Sequence, residues 1–275
     1  MKTLASIVVL AGIALLTGCN DGVLDPKGPI AAAERQIMFN ATGIMLAIVI
    51  PTILATLGVA YWFRSSNTRA RYLPEFENSG RLELLIWAIP IMTVILVGGV
   101  AWVGSYDLDP KKPIASDVKP LQVQVVSLDW KWLFIYPEQG IATVNQLTVP
   151  AGTPIHFELT SSSVMNSFFV PQLGSMIYTM PGMVTQLYLQ ADHPGTFRGL
   201  SANFSGEGFS DMRFTMKAVA SEDFPQWVDS VRSAGPVLDA QAYSELAKPS
   251  VAVAPSTFRA VAPDLFNGIS RMAQK

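Results

Sequence analysis

The stretch Phe197–Met216 has the composition and position of a binding loop. It is rich in Ser, Gly and Asn, and it lies between two strand-like runs near the end of a β-rich segment. Loops of this kind at the rim of a β-sandwich are common places for a metal or ligand site. This loop nevertheless has almost no side chains able to hold a metal, since the thioether of Met212 is a weak ligand on its own. The sequence therefore predicts the layout of a site without its donors.

Other residues suited to catalysis or metal binding are scarce. The chain has a single cysteine, Cys19, and two histidines, His156 and His193. His156 lies in a strand-like run and His193 lies beside a turn, so we expect structural roles for both. This inventory supplies no Ser/His/Asp or Cys/His arrangement for nucleophilic catalysis.

One group of methionines is spaced closely enough to suggest a copper site. Flexible methionines more commonly fill gaps in a hydrophobic core, and we expect that role here. The group consists of Met165, Met176, Met180 and Met183.

The composition indicates a membrane-attached protein with a water-exposed part. Half of the 275 residues are hydrophobic and 15% are charged, and the apolar residues concentrate in the first 103 positions. The net charge of −2 and the absence of a basic run give no support for nucleic-acid binding.

The N-terminus has the features of a bacterial lipoprotein signal peptide. Lys2 supplies a positive charge, and Leu4–Leu16 is an apolar run too short to span a bilayer. The run ends in Leu-Thr-Gly-Cys, which resembles the lipoprotein cleavage box. We therefore expect residues 1–18 to be removed and Cys19 to be acylated as the first mature residue. The alternative is an ordinary signal peptide followed by an incidental cysteine.

Two later runs are long enough and apolar enough to span a membrane. Gly43–Phe63 and Leu84–Val103 are uncharged, and they contain the internal prolines Pro51 and Pro90. Membrane helices tolerate such prolines when neighbouring helices pack around the kink. The two runs predict a transmembrane hairpin over residues 43–103, whereas a buried hairpin of a soluble protein is the weaker alternative.

The charges and the signal peptide predict the orientation of the hairpin. Four arginines in the connecting loop favour a cytoplasmic loop, and they are Arg64, Arg69, Arg71 and Arg81. An exported N-terminus places residues 19–42 and everything after the second run in the periplasm. Glu83 then lies at the cytoplasmic mouth of the second helix, either as an ordinary interfacial carboxylate or as a proton uptake group.

The segment after the hairpin predicts a β-sandwich. A polar linker over residues 104–120 leads into many short strand-like runs separated by Pro and Gly turns, which is typical of a sandwich or barrel. The predicted strands are Leu121–Leu128, Lys131–Tyr136, Thr143–Val149, Pro154–Thr160, Ser167–Val170, Val184–Leu189, Thr196–Leu200 and Arg213–Val219.

Residues 221–275 have a different character. Short helices are expected at Phe224–Ser233, Ala240–Leu246 and Pro263–Met272. Their apolar residues must bury against the sandwich, the membrane surface or a partner, and the sequence leaves these three possibilities open. The fold class is therefore an α+β membrane protein, in which a two-helix hairpin precedes a periplasmic β-sandwich and a short helical extension.

Together these features resemble subunit II of the haem–copper respiratory oxidases. The resemblance covers nearly the whole chain and is specific to the ubiquinol-oxidising branch, the cytochrome bo type. It implies a cupredoxin-like Greek-key sandwich for residues 121–220. The similarity is carried by Asp129–Leu147, Val164–Gly174 and Gly199–Met212, with further agreement in Leu84–Pro90 and Leu24–Gly28.

In the copper-bearing relatives of this family, the domain holds a two-copper centre. The resemblance puts Asn166 and Phe209 at the two histidine positions. The bridging cysteines become Ser201 and Ser205, and the glutamate becomes Asn203, so only Met212 keeps its type. A copper pair needs thiolates to bridge it and imidazoles to complete each ion. We therefore expect no metal in this domain. Trp130 and Trp132 align with an aromatic pair that serves electron entry in the copper-bearing relatives, and we expect them to have a packing role here.

The resemblance implies the second subunit of a proton-pumping ubiquinol oxidase of the aerobic respiratory chain, which oxidises ubiquinol and reduces oxygen to water. Haems and one copper are expected on the large subunit I, further small membrane subunits are expected as partners, and this chain is not expected to be catalytic by itself. The resemblance also puts Glu83 near a proton channel entrance. The missing ligands disfavour a cytochrome c oxidase subunit. The alternative function is a lipid-anchored periplasmic binding or assembly module without a permanent oxidase partner.

Overall fold

The computed structural model describes residues 22–71 and 73–272. The chain forms two compact units. One unit is a helical hairpin within residues 33–109, and the other is a β-domain that includes residues 22–32 and 110–272. Cys19 lies outside the described residues.

The hairpin consists of helices α1 (Pro29–Trp62) and α2 (Gly80–Asp107). Both are long and apolar enough to cross a membrane, with mean hydropathies of 2.3 and 2.4 in windows that the rest of the chain leaves uncovered. A helix that is hydrophobic on all sides and uncovered by its own chain is suited to a lipid environment. The predicted spanning run at 84–103 lies inside α2, and the run at 43–63 lies inside α1 except for Phe63, which follows its last residue.

Both helices extend beyond the apolar runs, and α1 does so by the larger margin. It begins at Pro29, where a proline suits the first helical turn because its missing N–H has no intrahelical partner there. Much of the segment expected to precede the hairpin, residues 19–42, is therefore helical. Gly104 of α2 lies against Ile37 of α1, since a Cβ added to Gly104 would fall 2.6 Å from Ile37 Cδ1.

Three threonine hydroxyls in the helices find hydrogen-bond acceptors within the helices themselves. Thr52, Thr56 and Thr93 each donate a hydrogen bond of 2.8 Å to the carbonyl oxygen four residues earlier. Such internal bonds keep polar side chains compatible with hydrocarbon surroundings.

The β-domain is a sandwich of two main sheets, as predicted. Within the described residues, one sheet has the strand order β12-β3-β2-β1-β5-β8 and the other has the order β4-β10-β9-β6-β7. A small third sheet pairs β11 with β13. The strands are β1 (Leu121–Leu128), β2 (Lys131–Tyr136), β3 (Ile141–Val144), β4 (Gln146–Pro150), β5 (Ile155–Ser161), β6 (Asn166–Phe169), β7 (Ile177–Thr179), β8 (Thr185–Leu189), β9 (Gly195–Ser201), β10 (Arg213–Val219), β11 (Val237–Leu238), β12 (Ser256–Phe258) and β13 (Ala260–Val261).

Aromatic side chains fill the space between the two main sheets. Trp132 contacts the rings of Phe168 and Phe214 edge to face, with centroids 5.5 and 5.8 Å apart. Phe134 lies 5.1 Å from Phe214 in a tilted arrangement. These rings belong to one buried cluster that also receives Val228 from a helix after the sandwich. Such aromatic contacts stabilise the core beyond the area that they bury.

Asn145 divides what the sequence presents as one strand over 143–149. Its backbone has φ 54°, so β3 ends before it and β4 begins after it. Its side-chain Oδ1 accepts a 2.9 Å hydrogen bond from the backbone N–H of Trp132, and its Nδ2 donates a 2.8 Å bond to the carbonyl of Val253. Asn tolerates the left-handed region better than most residues, so one residue provides both the turn and the two bonds.

Most of the C-terminal extension, from Leu238 onward, packs on the outer face of the six-stranded sheet, whereas its first helix contributes Phe224, Val228 and Val231 to the main cluster. The extension contains the helices α3 (Phe224–Ser233), α4 (Ala240–Leu246) and α5 (Leu265–Met272). Phe258 and Phe266 are buried in a second cluster together with Leu133 and Ile135 of β2. Of the three possibilities left open, these two phenylalanines therefore bury against the sandwich.

The extension is also less purely helical than expected. Strand β12 pairs with β3 and becomes the outermost strand of the six-stranded sheet. The short strand was not recognised because Ser256–Phe258 has only three residues and its pairing partner is far away in the sequence.

A buried lysine ties the extension to the sheet. Lys131, at 1% exposure, donates a 2.7 Å hydrogen bond from Nζ to the carbonyl of Lys248 and contacts the hydroxyl of Ser250. Burial lowers the pKa of the Lys131 ammonium, and the nearby charge of Asp129 opposes that shift. The lysine thus relies on acceptors from the extension to compensate for its desolvation.

We expect Asn145→Ala to lower the free energy of unfolding of the full chain by about 3 kcal/mol. The substitution removes the two side-chain hydrogen bonds and leaves the buried N–H of Trp132 and carbonyl of Val253 unpaired. It also puts alanine in a left-handed backbone conformation that alanine disfavours. Thermal unfolding in detergent, followed by circular dichroism, measures this. Asn145→Gly is the matched control, since it loses both side-chain bonds but relieves the backbone. The account is wrong if the alanine variant is as stable as the glycine variant.

Candidate functional site

The loop singled out in the sequence connects β9 and β10, which pair along their length. The backbone N–H of Ser201 donates a 3.1 Å hydrogen bond to the carbonyl of Met212, so the pairing continues to the mouth of the loop. A short 3₁₀ turn at Phe209–Asp211 then leads back into β10. The loop is therefore held in shape by backbone pairing at both ends.

Asn166 and Ser201 come together although they are far apart in the sequence. Asn166 begins β6 at 1% exposure and Ser201 ends β9 at 3% exposure. The Ser201 hydroxyl lies 3.3 Å from Asn166 Oδ1 and 3.3 Å from the carbonyl oxygen of Asn203. Asn166 Nδ2 donates a 3.2 Å bond to the carbonyl of Val164. Neutral hydrogen bonds thus join three of the six positions that the resemblance identifies.

Trp130 covers the middle of the loop. Its backbone has φ 64°, and its indole Nε1 donates a 3.1 Å hydrogen bond to the carbonyl of Ser205. A Cβ added to Gly208 would lie 2.4 Å from Trp130 Cδ2, so only glycine permits this approach of ring and backbone. The Ser205 hydroxyl is buried and has no hydrogen-bond partner within the part of the chain that the structure describes.

The last two positions face apolar surroundings. Phe209 is half-buried and contacts Phe204 edge to face, with ring centroids 5.7 Å apart. Met212 is 1% exposed and belongs to the main hydrophobic cluster of the domain. Its thioether therefore lies in the core, and it is the one side chain among the six that could serve a soft metal.

The two histidines lie outside this loop. His156 is in β5, where its Nδ1 lies 2.6 Å from Gln122 Oε1 and its ring stacks on Tyr188 at 4.5 Å. His193 is exposed in the turn before β9. Among residues 22–71 and 73–272, no group of three or more His, Cys, Asp or Glu side chains is arranged to hold a metal ion.

The expectation that the four clustered methionines fill the core is wrong for three of them. Met165, Met176 and Met183 are 40%, 39% and 53% exposed, and Met180 is half-buried. The physical reason is that they flank the short edge strand β7 instead of pointing between the sheets. Spacing alone did not reveal this, because β7 has only three residues and was not predicted.

Glu83 lies in the first turn of α2 and is exposed. Its backbone N–H donates a 2.9 Å hydrogen bond to the carbonyl of Ser79, the residue that precedes the helix. A carboxylate in this position interacts favourably with the positive end of the helix dipole. The structure therefore explains why an acidic residue suits this turn without assigning it a chemical role.

The residues present do not fit a two-copper centre. Serine hydroxyls stay protonated at neutral pH and do not replace bridging thiolates, and a phenyl ring donates no electron pair to a metal. In this protein, hydrogen bonds and apolar packing connect these positions. What the loop can do chemically is limited to packing and recognition.

Comparisons with known proteins agree with this geometry. Residues 92–219 match the sequence profile of the cytochrome c oxidase subunit II periplasmic domain, and residues 232–272 match the COX aromatic-rich motif. A two-helix hairpin joined to a cupredoxin-like sandwich that matches this profile fits a chain of the oxidase subunit II type.

Similarity to individual relatives extends over nearly the whole chain. The cytochrome bo(3) ubiquinol oxidase subunit 2 of Pseudomonas aeruginosa is 49% identical over 94% of this chain and 78% of the relative. The ubiquinol oxidase subunit 2 of Acetobacter aceti is 50% identical over 98% of this chain and 89% of the relative. The chain belongs to the ubiquinol oxidase subunit 2 family.

One solved structure is similar in part. The periplasmic domain of subunit II of cytochrome oxidase from Bradyrhizobium japonicum matches with a TM-score of 0.41 and 21% identity, over 43% of this chain and 96% of that one.

Family membership makes this protein a membrane-anchored member of an oxidoreductase complex of the respiratory chain, so partner subunits are expected.

We expect Gly208→Ala to destabilise the domain by about 1–3 kcal/mol, because the new methyl group overlaps the Trp130 ring and forces the loop or the ring to move. Thermal unfolding of the full chain measures the loss, and Ser210→Ala in the same exposed turn serves as the control. In a chain that also carries Trp130→Leu, Gly208→Ala should lower the free energy of unfolding by less, because the ring that the new methyl group would overlap is gone. An undiminished cost would show that the loop is strained for another reason.

Proposed function

We propose that this chain is the second subunit of a proton-pumping terminal ubiquinol oxidase and that its contribution is architectural. The observation that supports this most is the 49% identity to a ubiquinol oxidase subunit 2 over 94% of the chain. In this role the hairpin packs on the large subunit within the membrane, and the β-domain covers the periplasmic side of that subunit.

The chain carries no copper of its own in this proposal. The argument rests on donor chemistry, since two serines, two asparagines and a phenylalanine occupy five of the six ligand positions. The pairing of Ser201 with Asn166 supports it, because both side chains already have polar partners at 3.3 Å or less.

The redox centres of the complex then belong to the large subunit, which holds the haems and one copper. Ubiquinol is soluble in the membrane and reaches that subunit without docking on a periplasmic domain. A copper relay in this chain would have no donor to serve, which accounts for the loss of the ligands. This chain is therefore not catalytic by itself.

The proposed placement is the bacterial inner membrane with both mature termini in the periplasm. The signal peptide and the arginines of the loop between α1 and α2 support this orientation. An acyl chain on Cys19 supplies a further anchor. Glu83, at the cytoplasmic start of α2, is the proposed uptake point through which protons reach the large subunit.

Purification of the complex through a tag on this chain is expected to bring down a large polytopic subunit and haem, visible in the optical spectrum. Metal analysis is expected to give one copper per complex, on the large subunit, and the intact mass of this chain is expected to include the acyl group on Cys19. Recovery of a colourless single protein would instead favour a lipid-anchored module. Two additional coppers assigned to this chain would refute the donor argument.

Glu83→Gln is expected to slow quinol oxidation by the assembled complex by roughly tenfold or more, because the amide cannot exchange the proton that a general acid–base group passes on. Oxygen consumption per haem measures this, and Glu77→Gln in the same loop region is the matched control. Wild-type turnover in a fully assembled Glu83→Gln complex would remove Glu83 from the proton path.

A further inference from the structure

The loop between α1 and α2 folds around a cavity, here called the loop cavity. Its volume is about 600 Å³, and its first lining residue directly follows the end of α1. A volume of this size is usual for sites that hold a small molecule or part of a larger one. The lining residues are Phe63, Arg64, Ser65, Asn67, Ala70, Arg71, Leu73 and Phe76.

The loop cavity lies at the level where a bilayer meets water. The uncharged run Gly43–Phe63 is helical almost to its end. At 1.5 Å per residue it covers about 30 Å, which is the thickness of a hydrocarbon core. Phe63 is therefore at the boundary of that core, and the residues that follow it are at the level of the lipid headgroups.

The lining combines apolar and basic side chains. Phe63, Leu73 and Phe76 are 60%, 52% and 61% exposed. Arg64 and Arg71 are exposed as well, and no Asp or Glu is among the described residues that line the cavity. A molecule that fills the loop cavity must therefore combine an apolar part with a negative charge.

Arg64 is held in place by its neighbours in the chain. Its guanidinium lies over the ring of Tyr61, 4.1 Å from the centroid. Its Nη1 donates a 2.9 Å hydrogen bond to the carbonyl of Tyr61, and its Nε donates a 3.0 Å bond to the hydroxyl of Ser66. A guanidinium has five N–H groups, so those of Nη2 are left for a ligand. Because the group is already positioned, little of its conformational freedom is lost when it binds an anion.

Asn67 fixes the turn that shapes the loop cavity. Its Nδ2 donates a hydrogen bond to the carbonyl of Trp62, the last residue of α1. Its backbone N–H donates a 2.9 Å bond to the carbonyl of Arg64. Its Oδ1 accepts a 3.1 Å bond from the backbone N–H of Arg69. The chain itself therefore maintains the shape of the cavity.

The two arginines of the lining carry charges that the chain does not neutralise. Neither Arg64 nor Arg71 forms an ion pair with another residue in the described part of the chain. The loop also contains Glu75 and Glu77, but they do not line the cavity. Two adjacent guanidinium groups without a carboxylate partner favour an anionic ligand.

We propose that the loop cavity binds an anionic phospholipid of the cytoplasmic leaflet. The phosphodiester lies between the guanidinium groups of Arg64 and Arg71, since guanidinium binds phosphate oxygens through paired N–H groups. The first carbons of an acyl chain contact Phe63 and Phe76. This inference rests on the proposed function, in which the loop is cytoplasmic, and it adds a lipid ligand to that function.

Two other ligands with a phosphate group fit the lining less well. A zwitterionic phospholipid would bring its ammonium group close to two guanidinium groups, and like charges repel. A water-soluble phosphate compound would leave the apolar residues of the lining in contact with water. An anionic phospholipid satisfies both parts of the lining.

Photo-crosslinking in the assembled complex tests the site. The complex, purified through a tag on this chain, is placed in phosphatidylcholine vesicles that contain a small fraction of phosphatidylglycerol with a photoreactive group at the start of one acyl chain. After irradiation, mass spectrometry quantifies the lipid attached to the peptide that contains Phe63 and Phe76. We expect this labelling to be roughly fivefold or more stronger than labelling by photoreactive phosphatidylcholine at the same fraction.

Two pairs of arginine substitutions provide a matched comparison. Arg64→Gln with Arg71→Gln should reduce phosphatidylglycerol labelling by roughly tenfold or more, because charge-assisted hydrogen bonds to the phosphate are lost. Arg69→Gln with Arg81→Gln removes the same charge from side chains that do not line the cavity. Labelling should then fall by no more than about threefold, since exposed charges farther from the phosphate are screened.

A single substitution covers the case in which Arg64→Gln disturbs the end of α1. Arg71→Gln alone should lower labelling by about threefold or more, because one of the two guanidinium groups is lost. Unchanged labelling in this variant would contradict the role of Arg71.

Three results would overturn the lipid site. Equal losses in the two double variants would show attraction to the net charge of the loop without a site. Equal labelling by the two photoreactive lipids would show that the negative charge is not recognised. Complete loss of labelling when glycerol 3-phosphate is added would identify a soluble phosphate compound as the ligand.

The haem recovered per tagged chain reports whether each variant assembles. Absence of haem from the wild-type purification would contradict the proposed function itself. Normal haem recovery without labelling of the loop cavity would contradict only the lipid site, so the two failures are distinguishable.

Discussion

The structure of the β-domain depends on burying both faces of the same strands. All six residues of β2 are buried. Trp132 and Phe134 point into the space between the sheets, whereas Leu133 and Ile135 lie under the C-terminal extension. A strand buried on both sides has no face for water, so the sandwich and its extension are stable only together. The aromatic-rich motif is thus the second covering layer of the domain.

The loop between β9 and β10 is held in shape by contacts with the rest of the domain. Strand pairing fixes its two ends, and the Trp130 ring packs on Gly208 at its centre. In a metal site, coordination bonds would hold such a loop together. Here a hydrogen bond joins Asn166 to Ser201, and Phe209 packs against the ring of Phe204.

Much of the fold could be predicted because it follows local patterns. Strand β2, strand β10 and helix α3 have the predicted bounds, since alternation and turn residues mark them clearly. The start of α1 was missed because Glu34 and Arg35 interrupt the apolar pattern while the helix continues through them. The division at Asn145 depends on a left-handed backbone conformation and on a bond to Val253, and neither leaves a periodic signal.

The site shows the same limit of sequence reasoning. The positions of Asn166 and Ser201 follow from a resemblance, but their 3.3 Å contact depends on the pairing of β6 with β9, which no local pattern reveals. The methionines were misplaced for a related reason, because an unrecognised edge strand decides which of them face outward.

The buried ammonium of Lys131 has a consequence for where this domain can be cut. Two of its acceptors, the Lys248 carbonyl and the Ser250 hydroxyl, lie well beyond residue 219, where the match to the periplasmic-domain profile stops. A fragment that ended there would keep a buried cation without those acceptors and an apolar sheet face without cover. The sequence boundary between the two motifs is therefore not a boundary between independently stable pieces, and an excised soluble fragment has to include the whole extension.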